Sequence, residues 1–166
     1  LSFLYGGNGY FDNMNAYFSA HDFKIIDQPK KSDEETTFKN AWGVCDENLY
    51  RWALEEADAN WEKGEPFYEF IMTTSNHRPF TYPEGKVSIP SGTGRNGAVA
   101  YTDYAIGKFL EVARTRPWFD NTVFLIVADH CADSAGKTEL EASKYRIPAI
   151  YYAPGLIKQG SLNTLC

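Results

Sequence analysis

NTVFLIVADHC, residues 121–131, is the stretch on which the reading of this chain turns. Residues 122–127 form a continuous β-branched and aromatic run, the pattern of a central parallel strand covered on both faces. Such a strand has no solvated side, so polar side chains occur only where it leaves the sheet. Asp129 and His130 stand at that exit, the carboxyl edge where open α/β sheets place their ligand sites. The plainer reading is an Asp that caps the next turn beside a partly buried His. What the other strand exits carry has to separate the two.

Working outward, residues 66–73 (PFYEFIMT) read as a second buried strand, broken only by Glu69. It runs into TTSNHRPFTYP, residues 73–83, where Ser75, Asn76 and His77 cluster at the exit and Pro79 and Pro83 hold the path extended. Arg78 reads as a surface charge. Residues 1–5 form a short apolar strand that leaves through Gly6, Gly7 and Gly9. These glycines fit a tight strand-to-helix turn better than a phosphate loop, because neither a P-loop nor a dinucleotide fingerprint is present. Tyr10, Phe11, Met14, Tyr17 and Phe18 then follow at helical spacing, and residues 23–26 make another short strand.

Asp46 is placed as the N-cap of a helix to about residue 63, with Leu49, Tyr50, Ala53, Leu54, Ala57 and Trp61 as its buried stripe. Glu55, Glu56 and Asp58 form its solvated side. Residues 81–96 are a long Gly/Pro/Ser-rich loop, of a length that tends to serve function. A helix over 97–114 follows, then the 121–131 stretch, an irregular polar segment over 132–146, and a last strand over 147–152. Strands alternating with helices predict an α/β fold, a mostly parallel sheet flanked by helices. Parallel strands would bring Tyr5, His77 and the Asp129–His130 pair out on one edge.

Composition narrows the classes. The 166 residues suffice for one domain with a core, and 43% apolar with 23% charged residues is ordinary for a soluble globular protein. A net charge of −6 and the lack of any Lys/Arg run argue against nucleic acid as a partner. No apolar stretch approaches the ~18 residues of a membrane span. Cys45, Cys131 and Cys166 have no metal-ligand spacing and permit at most one internal disulfide. The chain opens on Leu1 inside a strand and closes at Cys166 soon after another, which reads as a piece of a longer protein.

A carboxylate and an imidazole at one sharp exit suit Zn²⁺ or Mn²⁺, although two ligands do not complete a site. His77 is suited to an anionic substrate oxygen or to protonating a leaving group. No nucleophile is evident: Cys131 beside His130 reads as a small half-buried residue, because neighbours in an extended chain point apart.

The segments LYGGNGYFDNMNAYF, TTSNHRPFTYP, YTDYAIGKF, VADHCADSAGKTEL and YRIPAIYYAPG, in this order, resemble the sulfatase domain of lipoteichoic-acid-synthase-like phosphoglycerol transferases, in the alkaline phosphatase superfamily. The resemblance covers nearly the whole chain and implies that residues 1–166 are the carboxy-terminal portion of a sulfatase-like catalytic domain. It implies an enzyme of the cytoplasmic membrane, held there by segments outside this chain, with its catalytic domain on the outer side. Such enzymes move phosphoglycerol or a related phospho-group from a lipid- or glycan-linked substrate through a covalent phospho-threonine. They use one divalent cation, in the first place Mn²⁺, with Zn²⁺, Mg²⁺ or Ca²⁺ as alternatives. By position, Asp129 and His130 match the family's metal-binding pair, and His77 matches its substrate-binding histidine. Tyr5 and Asp12 fall at substrate positions, where the lipoteichoic acid synthases carry other residues, as they do at Met14. Glu141 stands where relatives often have Pro. The threonine nucleophile and the acidic metal ligand lie before the first matching block, so this chain holds no catalytic nucleophile and is expected to be inactive alone. The alternative is a non-catalytic α/β module that keeps the fold and binds a ligand or partner.

Overall fold

The computed structural model describes residues 1–131 and 145–163; the segment with Lys137, Glu141 and Lys144 lies outside the described residues. The chain divides into two compact units, Leu1–Arg116 and Pro117–Cys166.

The first unit is built on β1 (Ser2–Tyr5), β2 (Lys24–Asp27) and β3 (Glu69–Met72), all parallel, in the order β2-β1-β3. β1 is central and buried along its whole length. Side chains alternate across a strand, so Leu4 and Ile26 face one side with Val44, Leu49, Trp52 and Ala53. Phe3, Tyr5 and Ile25 face the other, against Met14 and Phe18. Helix α1 (Met14–Ala20) therefore covers one face and α2 (Asp46–Glu62) the opposite one. On the α1 side the Phe3 and Phe18 rings stack at 3.8 Å. A third helix, α3 (Arg95–Ala113), packs on α2 through the Tyr50 and Phe109 rings at 4.9 Å. The expected parallel sheet with flanking helices is present.

Several local expectations need correction. Tyr10 and Phe11 are not on the helix: a 3-10 turn over Phe11–Asn13, with Asp12 and Asn13 at φ 47° and 58°, precedes α1 and leaves Tyr10 80% exposed. β3 is an edge strand, with Phe70 partly open, rather than a fully buried one. Trp61 is exposed and Trp52 takes its place in the core. A helix the length of α2 runs about 25 Å against about 13 Å for four-residue strands, so its last turn projects beyond the sheet. Glu56, expected on the solvated side, is buried: it accepts hydrogen bonds from Ser2 Oγ (2.9 Å) and Lys24 Nζ (2.5 Å) and ties two strands to α2. Burial pulls its carboxyl pKa up, but those two bonds outweigh burial and hold it below the ordinary value.

The second unit carries the largest correction. Residues 124–127 form β4 (Phe124–Val127), but its partner is β5 (Ala149–Tyr152) and the pairing is antiparallel, with Phe124 opposite Tyr152. Nor is β4 buried on both sides. Phe124 and Tyr152 turn toward Phe119, whereas Leu125 and Val127 stay 52% and 49% exposed. A continuous apolar run records that a strand can be covered on both faces. It encodes neither strand direction nor what covers the second face.

Candidate active site

The parallel sheet of the first unit sends three strand ends to one carboxyl edge. β1 ends at Tyr5 and passes into Gly6 and Gly7; β2 ends at Asp27; β3 leads through Thr74 and Ser75 to His77. Tyr5 and His77 thus emerge on the same edge. Tyr5 itself is buried in the α1-side cluster, and burial together with the Asp12 charge raises its phenol pKa. Asp12 is exposed on the turn before α1.

His77 stands on the surface of the β3 exit, where the turn is closed by its own N–H to Thr74 O (3.0 Å) and by Phe80 N–H to His77 O (2.8 Å). Its Nδ1 lies 2.9 Å from Arg78 O. A carbonyl only accepts, so Nδ1 carries the proton and Nε2 is left for a ligand. The neutral ring offers Nε2 as an acceptor, and the protonated ring offers it as a donor to an anionic oxygen.

The exit is held from behind. Ser75 N–H donates to Asp46 Oδ1 and Asp46 N–H donates to Ser75 Oγ, both at 3.1 Å, while Thr102 Oγ1 of α3 donates to Asp46 Oδ2 at 3.1 Å. Asp46 is therefore not the N-cap of α2; Cys45 occupies that position, and the Asp46 carboxylate works across to the β3 exit. Burial raises the Asp46 pKa, against the pull of those hydrogen bonds. Thr74 Oγ1 adds a bond to Val44 O at 3.0 Å.

Two residues at this edge escaped the sequence reading. Asp27 is buried, with Oδ2 accepting from Gly9 N–H (3.1 Å) and Asn15 Nδ2 (2.9 Å). It ends its apolar run as Asp129 ends its own, and that parallel was the available signal. Trp42 lies with its ring centroid 3.7 Å from that of His77. No local pattern marks it.

In the second unit, Asp129 and His130 follow the end of β4, 65% and 74% exposed. His130 Nδ1 lies 2.7 Å from Cys131 O, which again makes Nδ1 the protonated nitrogen and frees Nε2. Nε2 is 3.5 Å from Asp129 Oδ2, and the other Asp129 oxygen accepts the His130 N–H at 3.0 Å. Two ligands bound tetrahedrally at about 2.1 Å stand about 3.4 Å apart, so the pair fits one divalent cation. A backbone acceptor on the far nitrogen is the usual outer-shell arrangement for a ligating histidine. Among the described residues no group of three or more His, Cys, Asp or Glu joins them. Cys131 is a free, half-buried thiol.

A family model for sulfatases matches residues 2–165. The chain belongs to the sulfatase family. Two curated relatives, phosphoglycerol transferase I of Salmonella arizonae and of Escherichia fergusonii, are each 24% identical to this sulfatase-family chain over 143 residues. The match takes in 78% of the chain and 18% of each relative, so the chain spans under a fifth of their length. Among solved structures, an alkaline phosphatase superfamily protein from Vibrio parahaemolyticus superposes with a TM-score of 0.84 at 36% identity, over 92% of this chain and 38% of that one. The lipoteichoic acid synthase LtaP of Listeria monocytogenes gives 0.77 at 22% identity, over 96% and 44%, and shows likeness of fold.

Proposed function

We propose that this chain is the carboxy-terminal part of a longer catalytic domain that transfers phosphoglycerol, or a related phospho-group, from a lipid- or glycan-linked substrate. The nucleophile is a threonine outside residues 1–166, which becomes covalently phosphorylated. The greater length of the relatives and the half-exposed apolar side chains of Leu125 and Val127 support a longer domain. Asp129 and His130 hold one divalent cation, Mn²⁺ first among the candidates. When bound, the cation polarises the phosphoryl oxygens and favours ionisation of the attacking hydroxyl. His77 binds the anionic substrate group through Nε2, with Asp12 and Tyr5 nearby on the same edge of the first unit. The domain works on the outer side of the cytoplasmic membrane, anchored by segments outside this chain; no described helix is long and apolar enough to cross a membrane.

The observation that carries the reading is the Asp129–His130 geometry: a free Nε2 and a carboxylate oxygen 3.5 Å apart, with Nδ1 already committed. The test is calorimetric titration of the chelator-dialysed parent protein with Mn²⁺. The expected result is one ion per chain, with affinity lowered by orders of magnitude in Asp129→Ala, since a charged ligand is lost. Unchanged affinity in both Asp129→Ala and His130→Ala sinks the metal assignment. Turnover of phosphatidylglycerol, an aryl phosphate and an aryl sulfate then separates phosphate from sulfate esters, and the product formed from phosphatidylglycerol, an acceptor adduct or free glycerol phosphate, separates transfer from hydrolysis. Tight metal with no turnover of any of them returns the chain to the ligand-binding alternative.

A further inference from the structure

His77 is held on one side by its bond to the Arg78 carbonyl, and on its ring face by a residue that the proposed function does not use. Trp42 is half-buried, with its ring centroid 3.7 Å from that of the imidazole and the planes tilted by 38°, while the Phe11 ring makes a T-shaped contact with it at 5.5 Å. The indole does not reach this place by chance packing. Asn40 Oδ1 accepts the N–H groups of Trp42 (2.8 Å) and Gly43 (3.3 Å), and Asn40 Nδ2 donates to Thr81 Oγ1 (2.9 Å). Val44 N–H donates to Gly6 O at 2.8 Å, which pins the same loop to the end of β1.

Two glycines make that approach possible. Gly43 has φ 152°, and a Cβ there would fall 2.1 Å from Gly6 O and 2.7 Å from Gly7 Cα. A Cβ on Gly7 would fall 2.5 Å from Trp42 O. All three contacts are with backbone, which has no room to yield. The glycine-rich exit of β1 thus seats the 40–44 loop directly against the sheet edge, and the loop delivers an indole face to His77.

We propose that Trp42 is a positioning residue for His77: it fixes the imidazole plane so that Nε2 meets the substrate anion in one orientation. This rests on the reading of His77 as a substrate residue. If Trp42 acts only through His77, its effect on turnover must vanish once His77 is gone. A residue that merely supports the fold would cost the same in either background.

The experiment is a double-mutant cycle in the parent protein, with phosphatidylglycerol and Mn²⁺, combined with NMR of ¹³C-labelled histidine rings. Trp42→Leu should lower kcat/KM about 10- to 100-fold, the scale of a displaced catalytic contact, and Trp42→Phe should recover most of the loss. In a His77→Ala background the same Leu substitution should change kcat/KM less than about 2-fold. The His77 ring protons should lie upfield in the wild type, through the indole ring current, and move to exposed-histidine positions in Trp42→Leu. An equal loss in both backgrounds overturns the proposal, and so do His77 signals that do not move in Trp42→Leu. Should the Leu variant not fold, Trp42→Phe must still hold the His77 protons upfield; exposed-histidine positions there, or in the wild type, overturn the proposal equally. Absence of turnover in every form would count against the functional reading alone, and the ring signals would then decide the role of Trp42.

Discussion

SFLY in β1 and FLIV in β4 are both four-residue strands, and FLIV is plainly the more apolar. Yet β1 is the buried one: Phe3 and Leu4 are wholly inaccessible, whereas Leu125 and Val127 are about half open. The difference lies in neighbours. β1 has a parallel strand on each side and a helix over each face, so even Ser2 is drawn under α2 and bonded there to Glu56. β4 has β5 on one side and an aromatic cluster on one face. Burial is a property of place in the sheet, and composition only permits it.

The comparison is most easily broken at Leu4. Leu4→Ala should cost about 2–5 kcal/mol, because a cavity opens in a packed cluster. Leu125→Ala should stay within about 1 kcal/mol. Urea denaturation of the two variants decides. Equal costs would mean that the open face of β4 is covered in solution.

A smaller effect concerns charge. Glu69 opens β3, and burial, reinforced by the Glu56 and Asp58 carboxylates, pushes its pKa up to about 8. The native state therefore binds this proton more tightly than the unfolded chain does. Stability should fall as pH rises from the ordinary carboxylate range to about 8, and then level off, by on the order of 1–3 kcal/mol. Glu69→Gln should flatten that slope in a series of melting curves taken across the window. A slope that survives the substitution would place its origin elsewhere.

The least effect is expected at the exposed exit of β4. Without metal, Asp129→Asn should shift stability by less than about 0.5 kcal/mol, since both members of its pair are largely solvated. Thermal melts in the presence of a chelator check this. A large loss would give the pair a structural role that its exposure does not suggest.

Much of the fold could be read from residue order. The 3.6-residue stripe located α2, and the short apolar runs located the five described strands, because these signals are local. The carboxyl edge of the parallel sheet was legible too, in Tyr5 and His77, since a polar residue that ends an apolar run has few places to go. What the sequence could not show depends on contacts between distant segments. Nothing near Trp42 announces an imidazole on its face. Nothing near Asp46 announces that its carboxylate will leave its own helix start for Ser75. The direction of β4 is set by which strand arrives beside it, and an apolar run says nothing of that.

The paired bonds between Asp46 and Ser75 have a consequence for motion. Loop tips that bind ligands commonly wander on nanosecond-to-microsecond timescales. Here the root of the β3 exit is bonded twice to the first turn of α2, with Thr102 of α3 as a third point of attachment. Ser75 cannot swing away unless helix-anchored bonds break, an event that belongs with local unfolding and its slower clock. The segment bearing His77 is therefore less a flap than a spur of the helical layer.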